Sequence, residues 1–379
     1  MRIGQEKRTL PGRRSQAYSI LSLIAISGEL PANQIPRLSG GQRYKEEVIK
    51  TLRSKGLIQT YYKDKLRGHR LTVNGKQALS EENPDRFKSF LTGNTDTNQL
   101  KYAVTRRLRL HSIAETTVTM RNVGISVFVD EKLDVFFPTK DDEVFTFTIT
   151  TPAFYSSREI KELGEDAIKI RGSRTVGVLL TNADAFIVYN TGVSMMKWEN
   201  KSEWRVNGLM TDVLCRKRFP RQYRIENIRL LMFGGDMEQA YQLMTSKGGS
   251  KNGYFTLDKS YNSFIYLTSD HYGEVILKLL CDTVKTNELN RVLSENLSGY
   301  DERSLVENDA IDENGEPVLF AYDCDMPRII RFNDMLQVHK RSGTIICFDF
   351  QAGALRRFCC ENVRFQTIDF NKFERGFFP

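Results

Sequence analysis

The sequence predicts a mixed fold, α+β or α/β, with more than one domain. At 379 residues the chain is longer than one hydrophobic core usually supports, and its 40% hydrophobic and 27% charged residues are a globular composition. Residues 1–121 hold 23 Lys and Arg against 10 Asp and Glu, a net charge of +13, whereas residues 122–379 hold 32 against 37. The apolar spacing changes from helical to strand-like near residue 125. We therefore expect a basic N-terminal region and a mixed α/β domain over residues 124–379.

The N-terminal region begins with a basic arm, residues 1–14, which is either a DNA contact or a tail without a role. Apolar residues at helical spacing predict a first helix over residues 15–28. A proline in its first turn favours a short second helix over residues 31–37. A third helix is predicted over residues 42–55, where a glycine follows it.

A two-stranded hairpin is predicted after the third helix. Its strands are expected over residues 57–62 and 69–73, and Asn74 is expected to cap a further helix over residues 75–80. Several cationic or titratable side chains lie at the hairpin turn: Lys63, Lys65, Arg67, His69 and Arg70. Three helices followed by a hairpin, all within residues 15–80, are the element order of a winged helix-turn-helix domain.

Two short motifs in this region resemble a known family. Leu57-Ile58, and then Arg70-Leu-Thr-Val-Asn-Gly75 followed by Leu79, resemble the wing and the next helix of winged-helix proteins. The same residues resemble the N-terminal part of the replication-relaxation proteins of plasmids and integrative elements. The resemblance implies a DNA-binding accessory protein of a mobile genetic element, acting in plasmid replication or in relaxosome and transfer functions. It also implies double-stranded DNA as the ligand and relaxase or replication proteins as partners.

The candidate DNA-binding residues are cations on two elements. The third helix, as the recognition helix, offers these to the major groove: Arg43, Lys45, Lys50 and Arg53. The hairpin offers these to the phosphate backbone or the minor groove: Lys63, Lys65, Arg67 and Arg70. Some winged helices dock proteins instead, but a region with a net charge of +13 favours DNA, because Lys and Arg neutralise phosphates.

Residues 81–123 are predicted to be a linker and a basic connecting helix. The linker holds a short helix over residues 84–91, and the connecting helix covers residues 100–123. Two interpretations of its charged face are open: a solvated helix between domains, or a second element that contacts DNA. The arginines in question are Arg106, Arg107, Arg109 and Arg121.

The C-terminal region alternates predicted strands and helices, which indicates a mixed α/β or α+β domain. Helices are expected over residues 157–170, 201–217 and 236–245. Strands are expected over residues 126–129, 135–137, 144–149, 175–180, 185–189, 228–233, 263–268, 317–322, 344–350 and 363–368.

An alternative function is suggested by Asp142, Glu159 and Lys161. An acid followed by Glu-x-Lys resembles the metal-binding core of restriction-endonuclease-like folds, where carboxylates hold Mg²⁺ and a lysine supports the attacking water. The chain would then be a Mg²⁺-dependent nuclease, which is the one case in which a cofactor is expected. Ser156, three residues before Glu159, favours a competing interpretation, a helix capping box. These motifs alone therefore do not identify catalytic residues or a bound metal ion.

Other motifs carry less chemistry. Phe233-Gly-Gly-Asp236 is interpreted as a strand-to-helix turn with Asp236 as cap rather than as a phosphate-binding loop, because it lacks the Gly-Lys-Ser/Thr sequence. The six cysteines and four histidines lack the spacing of zinc sites, so reduced thiols are expected. Without a histidine cluster, the chain is not expected to be the strand-nicking relaxase itself.

A third functional hypothesis is a winged-helix transcriptional regulator whose C-terminal domain senses a ligand or forms a homodimer. No apolar run approaches the ~20 residues that span a bilayer, and the basic N-terminus lacks the apolar segment of a signal peptide. A cytoplasmic protein without membrane contact is therefore expected.

Overall fold

The computed structural model describes residues 10–92, 102–136, 144–163, 173–192, 194–248, 255–257, 261–299 and 305–379. Over these residues the chain is a mixed α+β protein with sheets of three, four and five strands. It divides into two compact units, Met1–Asp134 and Val135–Pro379. The predicted mixed class is therefore confirmed, and the division follows residue 134 rather than residue 123.

The first three helical segments match their predictions closely. Helix α1 (Gln16–Ser27) begins where the Ser15 hydroxyl accepts from the backbone N–H of Tyr18, and it ends at Gly28, whose positive φ stops it. A 3-10 segment (Ala32–Arg37) takes the place of the predicted second helix. Helix α2 (Gln42–Ser54) buries one narrow face and leaves its remaining surface exposed to solvent.

The hairpin of the first unit is tighter than predicted. Strands β2 (Ile58–Lys63) and β3 (Leu66–Leu71) are joined by a two-residue turn, Asp64-Lys65, in which both residues have positive φ, 53° and 61°. Such turns match the twist of paired strands, so β3 begins at residue 66 rather than 69. A short strand β1 (Leu30–Pro31) completes the sheet in the order β1-β3-β2.

The helix after the hairpin, α3 (Val73–Glu82), starts earlier than predicted. Its cap is Thr72 and not Asn74, because the Thr72 side chain accepts from the N–H of Gly75. Helix α4 (Pro84–Leu91) confirms the predicted helix over residues 84–91.

The prediction that residues 81–123 only connect two domains is wrong for the described residues, 81–92 and 102–123, although both predicted helices are present. Phe87 and Phe90 of α4 are almost completely buried. Helix α5 (Val104–Asn122) packs on α1 and β1 and buries Leu110, Ala114 and Val118. Apolar side chains buried to this extent are part of a hydrophobic core. Helix α5 is therefore a structural part of the first unit and not a solvated connection between domains.

In its described residues, the second unit holds two sheets. In the larger sheet, the order is β4-β5-β6-β7-β8, antiparallel from β4 to β6 and parallel from β6 to β8. In the smaller sheet, the order is β9-β10-β11-β12, with only β9 antiparallel to its neighbour. The strands are β4 (Ala153–Ser156), β5 (Gly177–Leu180), β6 (Ala185–Asn190), β7 (Ile228–Gly234), β8 (Phe264–Thr268), β9 (Ala310–Ile311), β10 (Pro317–Phe320), β11 (Gly343–Phe348) and β12 (Val363–Ile368).

Helices connect these strands and cover one shared core, to which both sheets contribute side chains. They are α6 (Ser157–Ile160), α7 (Asn200–Met210), α8 (Met237–Thr245), α9 (His271–Leu280), α10 (Thr283–Leu293), α11 (Met326–His339), α12 (Asp349–Phe358) and α13 (Phe370–Phe377). Helix α7 continues in π-type turns over Thr211–Arg218, and 3-10 turns cover Val129–Glu131, Lys161–Leu163 and Ile225–Asn227.

Most predicted elements from residue 175 onward are confirmed within a few residues, including the hairpin of β5 and β6. The predicted helix over residues 157–170 begins at residue 157, and its part from residue 164 onward lies outside the described residues. Five helices beyond residue 270, α9 to α13, are absent from the predicted set.

Three predicted strands, over residues 126–129, 135–137 and 144–149, are wrong where the structure describes them; residue 137 is not described. Val127, Phe128, Val135, Phe136 and Ile149 are buried outside any strand, whereas Val144 and Phe147 are exposed. Ile149 shows the reason: its N–H donates to Gln222 Oε1 (2.8 Å), and its carbonyl accepts from Gln222 Nε2 (2.9 Å). A side chain thus satisfies the groups that a neighbouring strand would otherwise pair.

The second unit repeats one topology. The series β5-β6-α7-β7-α8-β8-α9 and the series β9-β10-α11-β11-α12-β12-α13 both place an antiparallel strand beside three parallel ones. A buried glutamine occupies the third position of α8 and of α12. Gln239 Nε2 donates to the Ser194 carbonyl and Gln351 Nε2 to the Tyr322 carbonyl, both at 2.9 Å. Each glutamine therefore holds the loop that follows the first parallel strand of its own series.

Candidate nucleic-acid interface

Exposed cations of α2 and of the β2–β3 hairpin form what we call the basic surface: Arg43, Lys50, Arg53, Lys63, Lys65 and Arg67. Lys50 lies 3.6 Å from Glu47, an exposed pair of little strength. For the other five, the described part of the chain provides no acidic oxygen within 4.0 Å. Their charge is therefore available to an anionic ligand.

The α2 and hairpin cations lie in one region of the first unit, because α2 packs against β2, the first strand of the hairpin. His69 lies on β3, the second strand. This imidazole is buried, which lowers its pKa, and the nearby charges of Arg67 and Arg53 lower the pKa further, to about 4. Arg53 ends α2, and Arg67 lies on β3 opposite Tyr62, whose side chain is 67% exposed. An exposed phenol beside the arginine adds a hydrogen-bond donor for phosphate oxygens.

Lys45 is not part of this surface, and its prediction as a DNA contact is wrong. Its side chain is 3% exposed, and Nζ donates to the carbonyls of Pro36 (2.8 Å) and Leu38 (2.9 Å). Lys45 shares the inner face of α2 with Val48 and Leu52, since residues three and seven apart lie on one side of a helix. Its ammonium therefore joins α2 to the 3-10 segment.

Arg70 is also buried, so its prediction as a DNA contact is wrong. Its Nε and Nη2 donate to Glu29 Oε2 at 3.0 and 2.7 Å, and its guanidinium lies over the Tyr61 ring. Successive residues of a strand point to opposite faces, so Arg70 faces away from Arg67, three residues earlier. The hairpin therefore exposes Arg67 on one face and buries Arg70 on the other, while Lys63 and Lys65 are exposed at its tip.

Glu29 is the centre of a buried charge network that the sequence analysis did not identify. It is fully buried and binds Arg70, Arg107 and, through Oε1 at 2.9 Å, His111 Nε2. Burial alone would raise the pKa of Glu29, but hydrogen bonds from these three side chains outweigh it and lower the pKa to about 2. The carboxylate is therefore ionised over the whole physiological range.

Gly68 was the one available sign of this network in the sequence. A glycine inside a strand marks a place where another group approaches the backbone closely. Here a Cβ at position 68 would collide with the Glu29 carboxylate. The glycine does not say which group approaches, so the partner could not be named from sequence.

The nuclease residues do not form a metal site in the described structure. The Glu159 carboxylate accepts from the N–H of Ser156 (2.8 Å), and the Ser156 hydroxyl accepts from the N–H of Glu159 (3.5 Å). This is the capping box, at the start of α6. Glu159 and Lys161 therefore lie in a helical segment and not on a core strand, while Asp142 lies outside the described residues. Among the residues placed by the structure, no group of His, Cys, Asp and Glu could hold a metal ion.

The capping box makes a prediction for Glu159. Glu159→Gln should leave the unfolding midpoint nearly unchanged, because glutamine fills the same position in capping boxes, whereas Ser156→Ala should cost about 1 kcal/mol. Urea unfolding of both variants measures this. A large loss of stability in the glutamine variant, with the alanine variant unaffected, would contradict the capping role.

The turn Phe233-Gly-Gly-Asp236 confirms its capping interpretation. Asp236 Oδ1 accepts from the N–H of Gln239 (3.0 Å), and the N–H of Gly235 donates to Gln239 Oε1 (2.8 Å). Gly234 is required because a Cβ there would collide with the side chains of Tyr266 and Gln239. The N–H of Gly235, which a phosphate-binding loop would aim at its ligand, already has a partner.

The six cysteines are free thiols. Burial raises the pKa of Cys215 to about 11 and the pKa of Cys281, Cys347 and Cys359 to about 12. Thiols with such values are poor nucleophiles at neutral pH, because the thiolate is the reactive form.

None of the helices in the described ranges has the length and apolar character needed to cross a membrane. No protein family matches the chain, and no curated protein or solved structure matches it either. The site is therefore characterised by its own residues, of which the basic surface is the principal feature.

Proposed function

We propose that this chain is a DNA-binding accessory protein of a mobile genetic element, with a winged helix-turn-helix domain in its first unit. The observation that carries the proposal is the basic surface, in which cations of a helix and of a hairpin lie together. Within the described residues, Lys50 is the one of these cations that has a carboxylate partner. A DNA backbone carries closely spaced negative charge, and Lys and Arg bind it by releasing counterions.

The two elements suit different parts of a duplex. Helix α2 presents Arg43, Lys50 and Arg53 on its exposed side, and the major groove is wide enough to admit an α-helix. The hairpin presents Lys63, Lys65 and Arg67 at its tip, where they would reach the phosphate backbone or the minor groove. The first unit would thus hold double-stranded DNA with a recognition helix and a wing.

The role on a mobile element is supported by the resemblance of about residues 14–80, with the motifs of residues 57–79, to replication-relaxation proteins. The resemblance favours a cytoplasmic protein that recognises a DNA site used in plasmid replication or transfer and presents that site to relaxase or replication proteins. Footprinting on the element tests this role: protection at an origin supports it, and protection confined to the promoter of the protein's own gene supports the regulator instead.

DNA binding itself is tested with the full chain and a fluorescent duplex of about 30 base pairs, titrated between about 50 and 200 mM salt. We expect the logarithm of the association constant to fall linearly with the logarithm of salt concentration. Arg43→Ala, Lys50→Ala and Arg53→Ala together should weaken binding about 10- to 100-fold and flatten that dependence, because three phosphate or base contacts are lost.

A matched control removes three exposed cations of the second unit: Lys201→Ala, Arg221→Ala and Lys372→Ala. It lowers the net charge by the same amount and should leave affinity within about twofold, since these residues lie off the proposed surface. No salt-dependent binding by the wild-type chain, or equal losses in the two triple variants, would refute the proposal.

A further inference from the structure

We propose that Arg107 is a positioning residue for DNA binding: its guanidinium holds the tip of the β2–β3 hairpin in the place where the hairpin cations contact DNA. The inference depends on the proposed function. Arg107 itself is fully buried, so its guanidinium would act through the hairpin and not by contact with DNA.

The contacts of Arg107 bracket the hairpin turn. Nη1 donates to the Lys63 carbonyl (2.9 Å) and Nη2 to the Leu66 carbonyl (3.0 Å). Lys63 and Leu66 are the last paired residues on either side of Asp64-Lys65. One planar guanidinium thus forms hydrogen bonds to both ends of the turn, which the fixed geometry of the arginine donors allows.

The guanidinium is anchored to the core and not to the hairpin alone. Arg107 belongs to α5, which is packed in the first unit through Leu110 and Ala114. Its Nε and Nη2 also donate to the buried carboxylate of Glu29, and its guanidinium lies over the Tyr61 ring. The tip is therefore fixed relative to α1, β1 and α5, beyond what its own strand pairing provides.

The turn needs such support because of its backbone. Left-handed φ in Asp64 and Lys65 costs about 1 kcal/mol or more for each non-glycine residue, and such conformations persist where surrounding contacts impose them. A hairpin tip without other contacts tends to fray. With the tip held in advance, Lys63, Lys65 and Arg67 need little further ordering when DNA binds, which favours affinity.

Arg86 provides the comparison for a merely structural arginine. It is a mostly buried side chain of the same unit and pairs with Asp130 at 2.7 Å, as Arg107 pairs with Glu29. Its hydrogen bonds go to acidic side chains of the Asp130-Glu131 segment and not to a hairpin carbonyl. Arg86→Lys is therefore the matched control for Arg107→Lys.

The experiment measures DNA affinity of Arg107→Lys in two backgrounds, the wild-type hairpin and a hairpin with Lys63, Lys65 and Arg67 all changed to alanine. Lysine keeps a positive charge beside Glu29 but cannot hold the carboxylate and both carbonyls at once. We expect binding about 10-fold weaker in the wild-type background and less than about twofold weaker in the alanine background, because the effect passes through the hairpin cations.

The outcomes separate the two proposals. Salt-dependent binding by wild type, with equal losses from Arg107→Lys in both backgrounds or with no loss in either, would overturn the positioning role and leave DNA binding intact. Failure of the wild type to bind would refute the proposed function. Losses of similar size from Arg86→Lys would assign the effect to general destabilisation.

A second measurement does not depend on the folding of any variant. Backbone order parameters of residues 63–67 in the free wild-type chain should lie near 0.85, the value of rigid backbone, if the tip is held before DNA binds. Values below about 0.6 at these amides would show a mobile tip and overturn the inference.

Discussion

Replacing Lys63, Lys65 and Arg67 with alanine is expected to weaken DNA binding about 100-fold near 150 mM salt and to reduce the salt slope by about three. Each of these cations is exposed and lacks an acidic partner in the described chain, so each can neutralise one phosphate. Releasing one counterion per neutralised phosphate gives a slope of about 0.9 per contact, which accounts for the expected change. Titrating a labelled duplex at several salt concentrations measures both quantities.

A charge-preserving variant is the control for this loss. Lys63→Arg, Lys65→Arg and Arg67→Lys together should keep the affinity within a few-fold, because the backbone contacts depend mainly on charge. If the alanine variant kept the wild-type salt slope, the hairpin would not contact phosphates, even if the affinity had fallen.

Replacing Glu29 with glutamine is expected to destabilise the first unit by about 3–5 kcal/mol, because removing one partner of a buried ion pair leaves the other charge uncompensated. Arg70 and Arg107 are both buried against this carboxylate. Losses of this size are rare for single substitutions and unfold many marginal domains.

The same carboxylate should make the first unit sensitive to acid. The pKa of Glu29 is lowered from the usual 4.5 to about 2 in the folded state. Its contribution to stability is therefore complete above about pH 4.5 and is lost as the pH falls towards about 2. In the glutamine variant, this part of the pH dependence should be missing.

The tryptophans allow the two units to be distinguished in urea unfolding. Both of them, Trp198 and Trp204, belong to the second unit, so fluorescence reports that unit while circular dichroism at 222 nm reports both. Glu29→Gln should shift a circular dichroism transition to lower urea and leave the fluorescence transition in place. Glu82→Gln, which breaks the exposed pair with Arg13, should change neither transition by more than about 0.5 kcal/mol. If the Glu29→Gln variant were as stable as the wild type, the buried network would not stabilise the first unit.

Local signals in the sequence predicted much of the first unit. Ser15 and Gly28 mark the ends of α1 through their own capping and φ preferences, and such effects depend on neighbouring residues alone. Whether Lys45 and Arg70 are buried depends on partners outside their own elements. These are two carbonyls near residue 37 for Lys45 and the Glu29 carboxylate for Arg70. Burial of a cation is decided by these partners, and they are separated from it by up to 41 residues.

The second unit also shows which elements local sequence patterns can predict and which they cannot. Strands such as β6 and β7 are mostly apolar runs between turn residues, and this local pattern was sufficient to predict them as strands. Residues 144–149 have a similar pattern, but the backbone N–H and carbonyl of Ile149 bond to Gln222, whose approach no local pattern encodes. For Glu159, the Ser156 spacing did identify the capping box, because that motif is complete within four residues.

The strand order of the second unit bears on how the chain folds during synthesis. In both of its sheets, each described strand after the first pairs with the strand that precedes it along the chain, and none of the described strands is inserted between two earlier ones. Each sheet can therefore grow outward one strand at a time as residues leave the ribosome, because each new strand finds its pairing partner already synthesised. Pairing of sequence neighbours lowers the contact order of a sheet, which favours faster folding and shortens the exposure of unpaired strand edges.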